Sequence, residues 1–259
     1  MKLYVKKFDS PEINLYPIGD FHIGSEQADM ELITKVINMI KDDPVGYWVG
    51  MGDFIENAII GAPGSYDQVI QAGRQQLEYV CSLLRPIAHK GLFLIAGNHE
   101  TRTYRVSGIF PEQFFSLNLG IPYLGFSAVA RIYLKLKNKE NFFTMYFHHN
   151  YGGSYSLGGK VTKALNLWHL FPTADAIFSA HSHVTGRYPI SWYSVKKGRI
   201  AKMTTYLYLI GSALNYAGSY AEEKAKPPAV KEFIYVNFKL EAEKDLTKAR
   251  QSYYIISGA

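Results

Sequence analysis

Leu92-Phe93-Leu94-Ile95-Ala96-Gly97-Asn98-His99-Glu100 is the stretch on which the reading of this chain turns. Five apolar residues form a run of strand length. An amide, an imidazole and a carboxylate then follow in consecutive positions. Core filling does not explain that much polar chemistry at the point where a buried strand emerges.

The same order recurs on both sides. Asp20-Phe21-His22 follows Ile13 to Ile18, and Gly52-Asp53 follows Tyr47 to Met51. Further on, His148-His149 follows Phe142 to Phe147, and His181-Ser182-His183 follows Ala176 to Ala180. Each of these five runs ends in residues able to bind a metal. Strands of one mostly parallel sheet, all pointing the same way, would bring the five ends to a single edge, where open α/β sheets place their ligands.

The intervening segments fit crossovers. Leu32, Ile33, Val36, Ile37 and Ile40 make a helical stripe over residues 28–41 that stops before Asp43-Pro44. Asp67 is expected to cap a second helix reaching about Ile87, closed by His89-Lys90-Gly91. Two strand-helix-strand units in succession predict parallel pairing with helices over the sheet. From residue 126 the pattern alternates around Asn138-Lys139-Glu140-Asn141, which predicts a hairpin. A helix is expected from Lys160 to Leu170, then a strand-rich region with a turn at Lys196-Lys197-Gly198-Arg199. Residues 211–229 read as irregular or partly helical, and Phe233 to Val236 as a strand. The C-terminal half therefore reads as a second sheet packed on the first, within one domain over residues 1–259.

Composition narrows the class without naming a function. With 47% hydrophobic and 19% charged residues, disorder is not the expectation. A net charge of +6, 20 Tyr and 15 Phe suit a nucleic-acid partner, and suit an ordinary basic protein equally well. Cys81 is the only cysteine and shares an apolar helical side with Leu77, Val80 and Leu84, so it reads as a core thiol with no intramolecular disulfide. The segment Met1 to Lys7 lacks the apolar core of a signal peptide, and no apolar run is long enough to cross a bilayer. A cytoplasmic protein without a membrane partner is expected.

Each motif has a bland reading. A lone histidine is usually structural, and His89 and His169 are read that way; Asp or Asn after a strand usually forms a turn. Six of the eight histidines standing at strand ends beside Asp20, Asp53 and Asn98 is a joint pattern that the bland readings do not produce. Asp-x-His suits a divalent metal of intermediate hardness. Asp53 has two oxygens that could bridge two ions, and Asn98 supplies an amide oxygen without charge. His181 and His183, two apart on an extended segment, could serve two neighbouring ions.

Taken as an ordered set, the five motifs make the chain resemble the calcineurin-like metallophosphoesterase family over residues 18–183. The resemblance implies an α/β fold, a four-layer αββα sandwich of two mixed sheets. It implies one metal held by Asp20, His22 and His183 and a second by Asn98, His181 and a fourth-motif histidine, with Asp53 bridging. His149-Asn150-Tyr151-Gly152-Gly153 resembles the family's His-Gly with Asn for the first Gly, which favours His149 over His148. His99 resembles the catalytic histidine that protonates or hydrogen-bonds the leaving oxygen. Glu56 matches the acid that orients it in the Ser/Thr phosphatase branch. Asn57 stands where that branch has an arginine clamp on phosphate, so a protein phosphatase is not implied. Arg102 and Arg105, just past the third motif, could take a similar role from another direction, but pairing with Glu100 or facing solvent is the expectation.

The implied cofactors are two divalent ions, with Mn expected and Fe, Zn or Ni also suited to these ligands. The implied reaction is hydrolysis of a phosphodiester, of nucleic acid or a nucleotide, by metal-activated hydroxide. A phosphomonoesterase on a small substrate and a binding module that retains the fold are the alternatives.

Overall fold

The computed structural model describes residues 1–59, 61–62, 68–196, 198–223, 225, 228, 230–243 and 246–257. The first half of the chain runs β1 (Lys2–Phe8), β2 (Glu12–Ile18), α1 (Met30–Asp42), β3 (Gly46–Gly50), α2 (Arg74–Leu84), β4 (Gly91–Leu94), α3 (Asn98–Ser107) and α4 (Pro111–Leu119). The second half runs β5 (Ser127–Leu136), β6 (Lys139–His148), α5 (Leu157–Leu170), β7 (Ala176–Ser179), β8 (Gly186–Lys196), β9 (Arg199–Leu209), α6 (Tyr220–Glu223), β10 (Glu232–Glu243) and β11 (Leu246–Ser257).

Two mixed sheets result. The five-stranded sheet has the order β11-β10-β2-β3-β4, in which β2, β3 and β4 are parallel. The six-stranded sheet has the order β1-β5-β6-β7-β9-β8, in which β6 and β7 are parallel. The sheets pack face to face through β5 on β10 and β6 on β11, with α1 against β3 and α5 against β7 and β9. This is an αββα sandwich. Its core is aromatic: Phe93 of β4 meets Phe147 of β6 edge-on at 5.1 Å, Phe147 stacks on Phe178 of β7 at 4.8 Å, and Phe178 on Tyr208 of β9 at 5.1 Å. Each such buried ring contributes roughly 1.5–3 kcal/mol by leaving water. The row ties β4 of one sheet to β6, β7 and β9 of the other, and so joins three of the strands whose ends carry the polar motifs.

α1 forms as expected. Asp29 caps it by accepting from Leu32 N at 3.0 Å, and Leu32, Ile33, Val36, Ile37 and Ile40 are its buried face. Cys81 is buried on α2, and burial pushes its thiol up to about 11.

Four expectations are corrected. The five motif-bearing ends do not belong to one sheet: β2, β3 and β4 deliver three, and β6 and β7 deliver two from the opposite sheet. The antiparallel β5–β6 hairpin starts a new sheet, so the ends converge across the sandwich. The division into halves also fails. β1 pairs parallel with β5 in the second sheet, while β10 and β11 return to the first. The second helix starts at Arg74 after Gly73; Asp67 lies outside the described residues, and Lys90 caps α1 instead, donating to the carbonyls of Ile40, Lys41 and Asp43 at 2.7, 2.9 and 2.6 Å. Finally, Leu136 pairs with Lys139, so the hairpin turns at Lys137-Asn138, with Lys137 at φ 56°. Of the other expected turn, Lys197 lies outside the described residues.

Candidate metal centre

The strand exits are held in unusual backbone. Asp20, His22, Asp53, His181 and His183 have φ of 50°, 49°, 52°, 68° and 51°, the left-handed region that costs a side chain of order 1–3 kcal/mol. Neighbouring contacts enforce it. Asp20 N donates to Gly52 O at 3.0 Å, Phe21 N and His22 N to Asp53 O at 2.9 and 3.1 Å, and Ile23 N to Phe54 O at 2.9 Å. Phe21, Ile23 and Phe54 are fully buried between these bonds. Gly52, at φ 88°, lies against Gly97 so closely that a Cβ on it would strike the backbone of Gly97. A Cβ on Gly97 would strike Asp53. Two glycines back to back therefore let the second and third motifs share one edge.

Three carboxylate-imidazole groups meet there, each with ligand atoms within 4.8 Å of one another: Asp20, His22 and His183; His22, Asp53 and His99; and Asp53, His149 and His181. Asn98 joins the last, its Oδ1 lying 3.1 Å from His149 Nε2. His149 is buried in the cluster. His148 lies outside these three groups and accepts from Asn150 N at 2.7 Å.

The donors fit divalent cations. One oxygen of each carboxylate is tied down, Asp20 Oδ2 by His181 N at 2.9 Å and Asp53 Oδ1 by His99 N at 2.8 Å. The other oxygens, Asp20 Oδ1 and Asp53 Oδ2, are buried without a hydrogen bond among the described residues and point at imidazole nitrogens. His183 Nε2 lies 3.5 Å from Asp20 Oδ1, and His149 Nε2 3.1 Å from Asp53 Oδ2. His22 Nε2 and His183 Nε2 face each other at 3.4 Å. The far nitrogens are engaged, His22 Nδ1 by Glu56 Oε2 at 3.0 Å and His149 Nδ1 by Met51 O at 2.7 Å. That outer bonding turns Nε2 inward as a ligand atom.

Electrostatics agrees. Burial opposes charge on Asp53, yet the His149 imidazole holds its carboxyl well below the usual range. Burial would lower His149, but Asp53 and Asp20 lift it to about 10. Without a cation the site thus retains a proton that a cation would replace. Burial and the neighbouring His149 bring His181 down to about 4.

Glu56 is placed differently from the sequence expectation. Its carboxylate bonds His22, while His99 Nδ1 donates to the Glu56 backbone oxygen at 2.6 Å and stands 3.5 Å from the carboxylate. The acid orients a ligand, and its carbonyl orients the catalytic candidate. Arg102 does not pair with Glu100: Nη1 donates to Glu56 O at 3.0 Å and Nη2 lies 3.1 Å from His99 Nε2. With Nδ1 donating and Nε2 accepting from the guanidinium, His99 is neutral. Burial brings it to about 4, with Arg102 adding to the effect. Arg105 is exposed. Asn57 is buried and structural: Nδ2 donates to His99 O at 2.6 Å, Oδ1 accepts from Thr103 Oγ1 at 3.0 Å, and its N–H donates to Gln76 Oε1 at 2.9 Å.

Two acids lie under the site: Glu100, read in the sequence only as part of the third motif, and Glu112, which sequence reasoning missed. Glu100 turns away from the cluster and accepts from Asp53 N at 2.9 Å and Phe54 N at 2.7 Å, clamping the second-motif loop. Glu112, on α4, accepts from Gly97 N at 3.1 Å through Oε1, and its Oε2 has no partner among the described residues. Burial and Glu112 push Glu100 well above the carboxylate range, and burial pushes Glu112 up to about 8. Both Glu100 oxygens accept from N–H groups, so Glu112 is the member with room for a proton. A Glu three residues after Gly97, at a helix start that lacks a side-chain cap, was the only sequence signal for this clamp.

Carboxylates and imidazoles from two sheets, converging on buried unsatisfied oxygens, make clusters that could hold divalent cations at the edge of an αββα sandwich. The sequence matches the family described as calcineurin-like phosphoesterase over residues 14–185, more than half of the chain, and the protein belongs to that family. No curated protein matches it. Among solved structures it is similar to Vacuolar Protein Sorting 29 from Cryptosporidium parvum, with a TM-score of 0.40 and 16% identity, covering 94% of this chain and 98% of that one. No helix among the described residues is long and apolar enough to cross a membrane.

Proposed function

We propose that this chain is a phosphoesterase that hydrolyses phosphodiester bonds of nucleic acid or nucleotides with two divalent cations, Mn foremost. The observation that carries this reading is the pair of buried, unsatisfied carboxylate oxygens on Asp20 and Asp53, each facing imidazole nitrogens from both sheets. Asp20, His22 and His183 would hold one cation and Asn98, His149 and His181 the other, with Asp53 between them. Bound there, the cations supply charge neutralisation on the phosphate and a nucleophile from water at neutral pH.

The chain's own residues do the rest. α3 directs its N-terminus at the cluster, which favours an anionic phosphate, and Asp53 Oδ1 on His99 N fixes that end. His99 is pinned through Nδ1 so that Nε2 stands 4.0 Å from Asp53 Oδ2, at the mouth of the site. It is the group placed beside the leaving oxygen. In the resting site Nε2 carries no proton and accepts from Arg102, so His99 acts as a donor only after that contact is exchanged for a proton. The basic, aromatic-rich composition supports a nucleic-acid or nucleotide substrate.

The test compares hydrolysis of bis(p-nitrophenyl) phosphate and p-nitrophenyl phosphate by Mn-loaded protein, with Asp53→Asn as control. Preference for the diester, lost in the variant, is the expected result. Preference for the monoester would move the assignment to a phosphomonoesterase. Inertness toward both with metal bound would move it to a binding module.

A further inference from the structure

The Arg102 guanidinium reaches the edge of the metal centre with no anion at hydrogen-bond distance among the described residues. On α3 it stands three positions after His99 and four after Asn98, spacings that turn all three side chains to one face of the helix. Nη2 lies 3.1 Å from His99 Nε2, and that nitrogen stands 4.0 Å from Asp53 Oδ2. A single imidazole atom therefore separates the guanidinium from an unsatisfied oxygen of the candidate cation site. Nη1 donates to Glu56 O at 3.0 Å and reaches Asn57 O at 3.5 Å. Glu56 Oε1 is 3.6 Å away, too far for a hydrogen bond, and the other oxygen of that carboxylate is bonded to His22 at 3.0 Å.

The Arg102 side chain is only 24% exposed. A cation withdrawn that far from water is stabilised by a paired anion, and neutral carbonyl and imidazole partners replace only part of its hydration. These contacts use three of its five N–H groups. The anion it lacks is the one that the neighbouring cation site is proposed to receive. A phosphate ester carries non-bridging oxygens, and the planar fork of a guanidinium matches two of them at once.

We infer that Arg102 anchors a non-bridging oxygen of the substrate phosphate, and that binding carries its Nη2 from His99 Nε2 to that oxygen. The phosphate supplies the missing anion and, in the same movement, clears the imidazole nitrogen that faces the leaving group. In the resting site Arg102 is thus a latch on His99 that only an anion at the metal centre releases. The inference rests on the phosphoesterase reading for the reaction, but the binding of phosphate can be tested apart from it. Inorganic phosphate is the probe, and paramagnetic broadening of its phosphorus NMR line by the desalted, Mn-loaded full chain reads its approach to the metals without turnover. The wild type should bind it. Arg102→Met, which keeps the stem and removes the charge, should weaken binding roughly 10–100-fold, and Arg102→Lys, which keeps the charge and loses the fork, should fall between them. Metal analysis of both variants should find Mn at the wild-type level, and thermal melting confirms folding. Should Arg102→Met fail to fold, Arg102→Lys alone decides, and unchanged phosphate affinity there overturns the anchor. Equal affinity in the wild type and Arg102→Met would overturn it, as would a wild type that leaves the phosphate line unbroadened. Loss of Mn from both variants would make Arg102 a strut for Glu56 and would overturn it too. Hydrolysis of bis(p-nitrophenyl) phosphate by the same wild type reads the reaction separately. Arg102-dependent phosphate binding without hydrolysis keeps the anchor and removes the phosphodiesterase; hydrolysis with Arg102-independent binding does the reverse.

Discussion

Glu112→Gln isolates the proton held beneath the metal centre. The Glu112 carboxyl stands at about 8 in the folded chain against 4.5 when unconstrained, because burial penalises its charge. Its folded value is raised, so the native state binds the extra proton. The stability from this group is complete below about pH 4.5 and is lost as pH rises toward about 8. At 1.36 kcal/mol per pKa unit, the loss between about pH 5 and pH 8 is on the order of 3–4 kcal/mol. Gln copies the neutral acid and cannot ionise. Urea denaturation of chelator-treated protein across that range should show the wild type losing stability relative to the variant by this amount. Groups that do not sense Glu112 are common to both proteins and cancel; Glu100, relieved of the like charge in the variant, titrates lower there and adds to the difference in the same direction. Parallel profiles would refute the assignment of the proton to Glu112.

Further outcomes follow from single contacts. Glu56→Gln should weaken metal binding at Asp20, His22 and His183 by roughly 10–100-fold in calorimetric titration, because His22 loses its carboxylate partner; unchanged affinity would place the acid's role elsewhere. Asn57→Ala should cost about 1–3 kcal/mol in chemical denaturation, since it strands His99 O and Thr103 Oγ1. Adding Mn to metal-free protein near neutral pH should release protons detectable with an indicator dye, because His149, lifted to about 10, must give one up to bind. Gly97→Ala should prevent assembly of the centre, read as loss of metal retention, because the new Cβ would strike Asp53.

Periodicity alone exposed much of the scaffold. Residues 32–40 showed their helix because five apolar side chains recur at helical spacing, and the runs before Asp20, Asp53, Asn98, His149 and His181 showed their strands because a buried strand is apolar on both faces. Which sheet each strand joins was not legible, since Lys2–Phe8 and Glu232–Glu243 choose partners by packing that no local pattern records. The cluster residues could be picked out because polar groups at strand ends are conspicuous. Their supports could not. Glu100, Glu112 and Asn57 look like ordinary polar residues until the fold buries them. The Glu56 carboxylate reached His22 in place of His99 through a loop geometry that spacing does not encode.

The exchange of strands between the sheets has a consequence for synthesis of the protein. β2 meets β3 early in the chain, but its other neighbour is β10, where Leu15 pairs with Val236 more than two hundred positions later. A ribosome adding about 5–20 residues per second leaves that edge of β2 open for roughly 10–45 s. Through that interval, three parallel strands carrying three of the five motifs expose an unpaired rim to any other nascent chain. Slow, chaperone-dependent maturation is the expected cost of a polar edge assembled from both sheets.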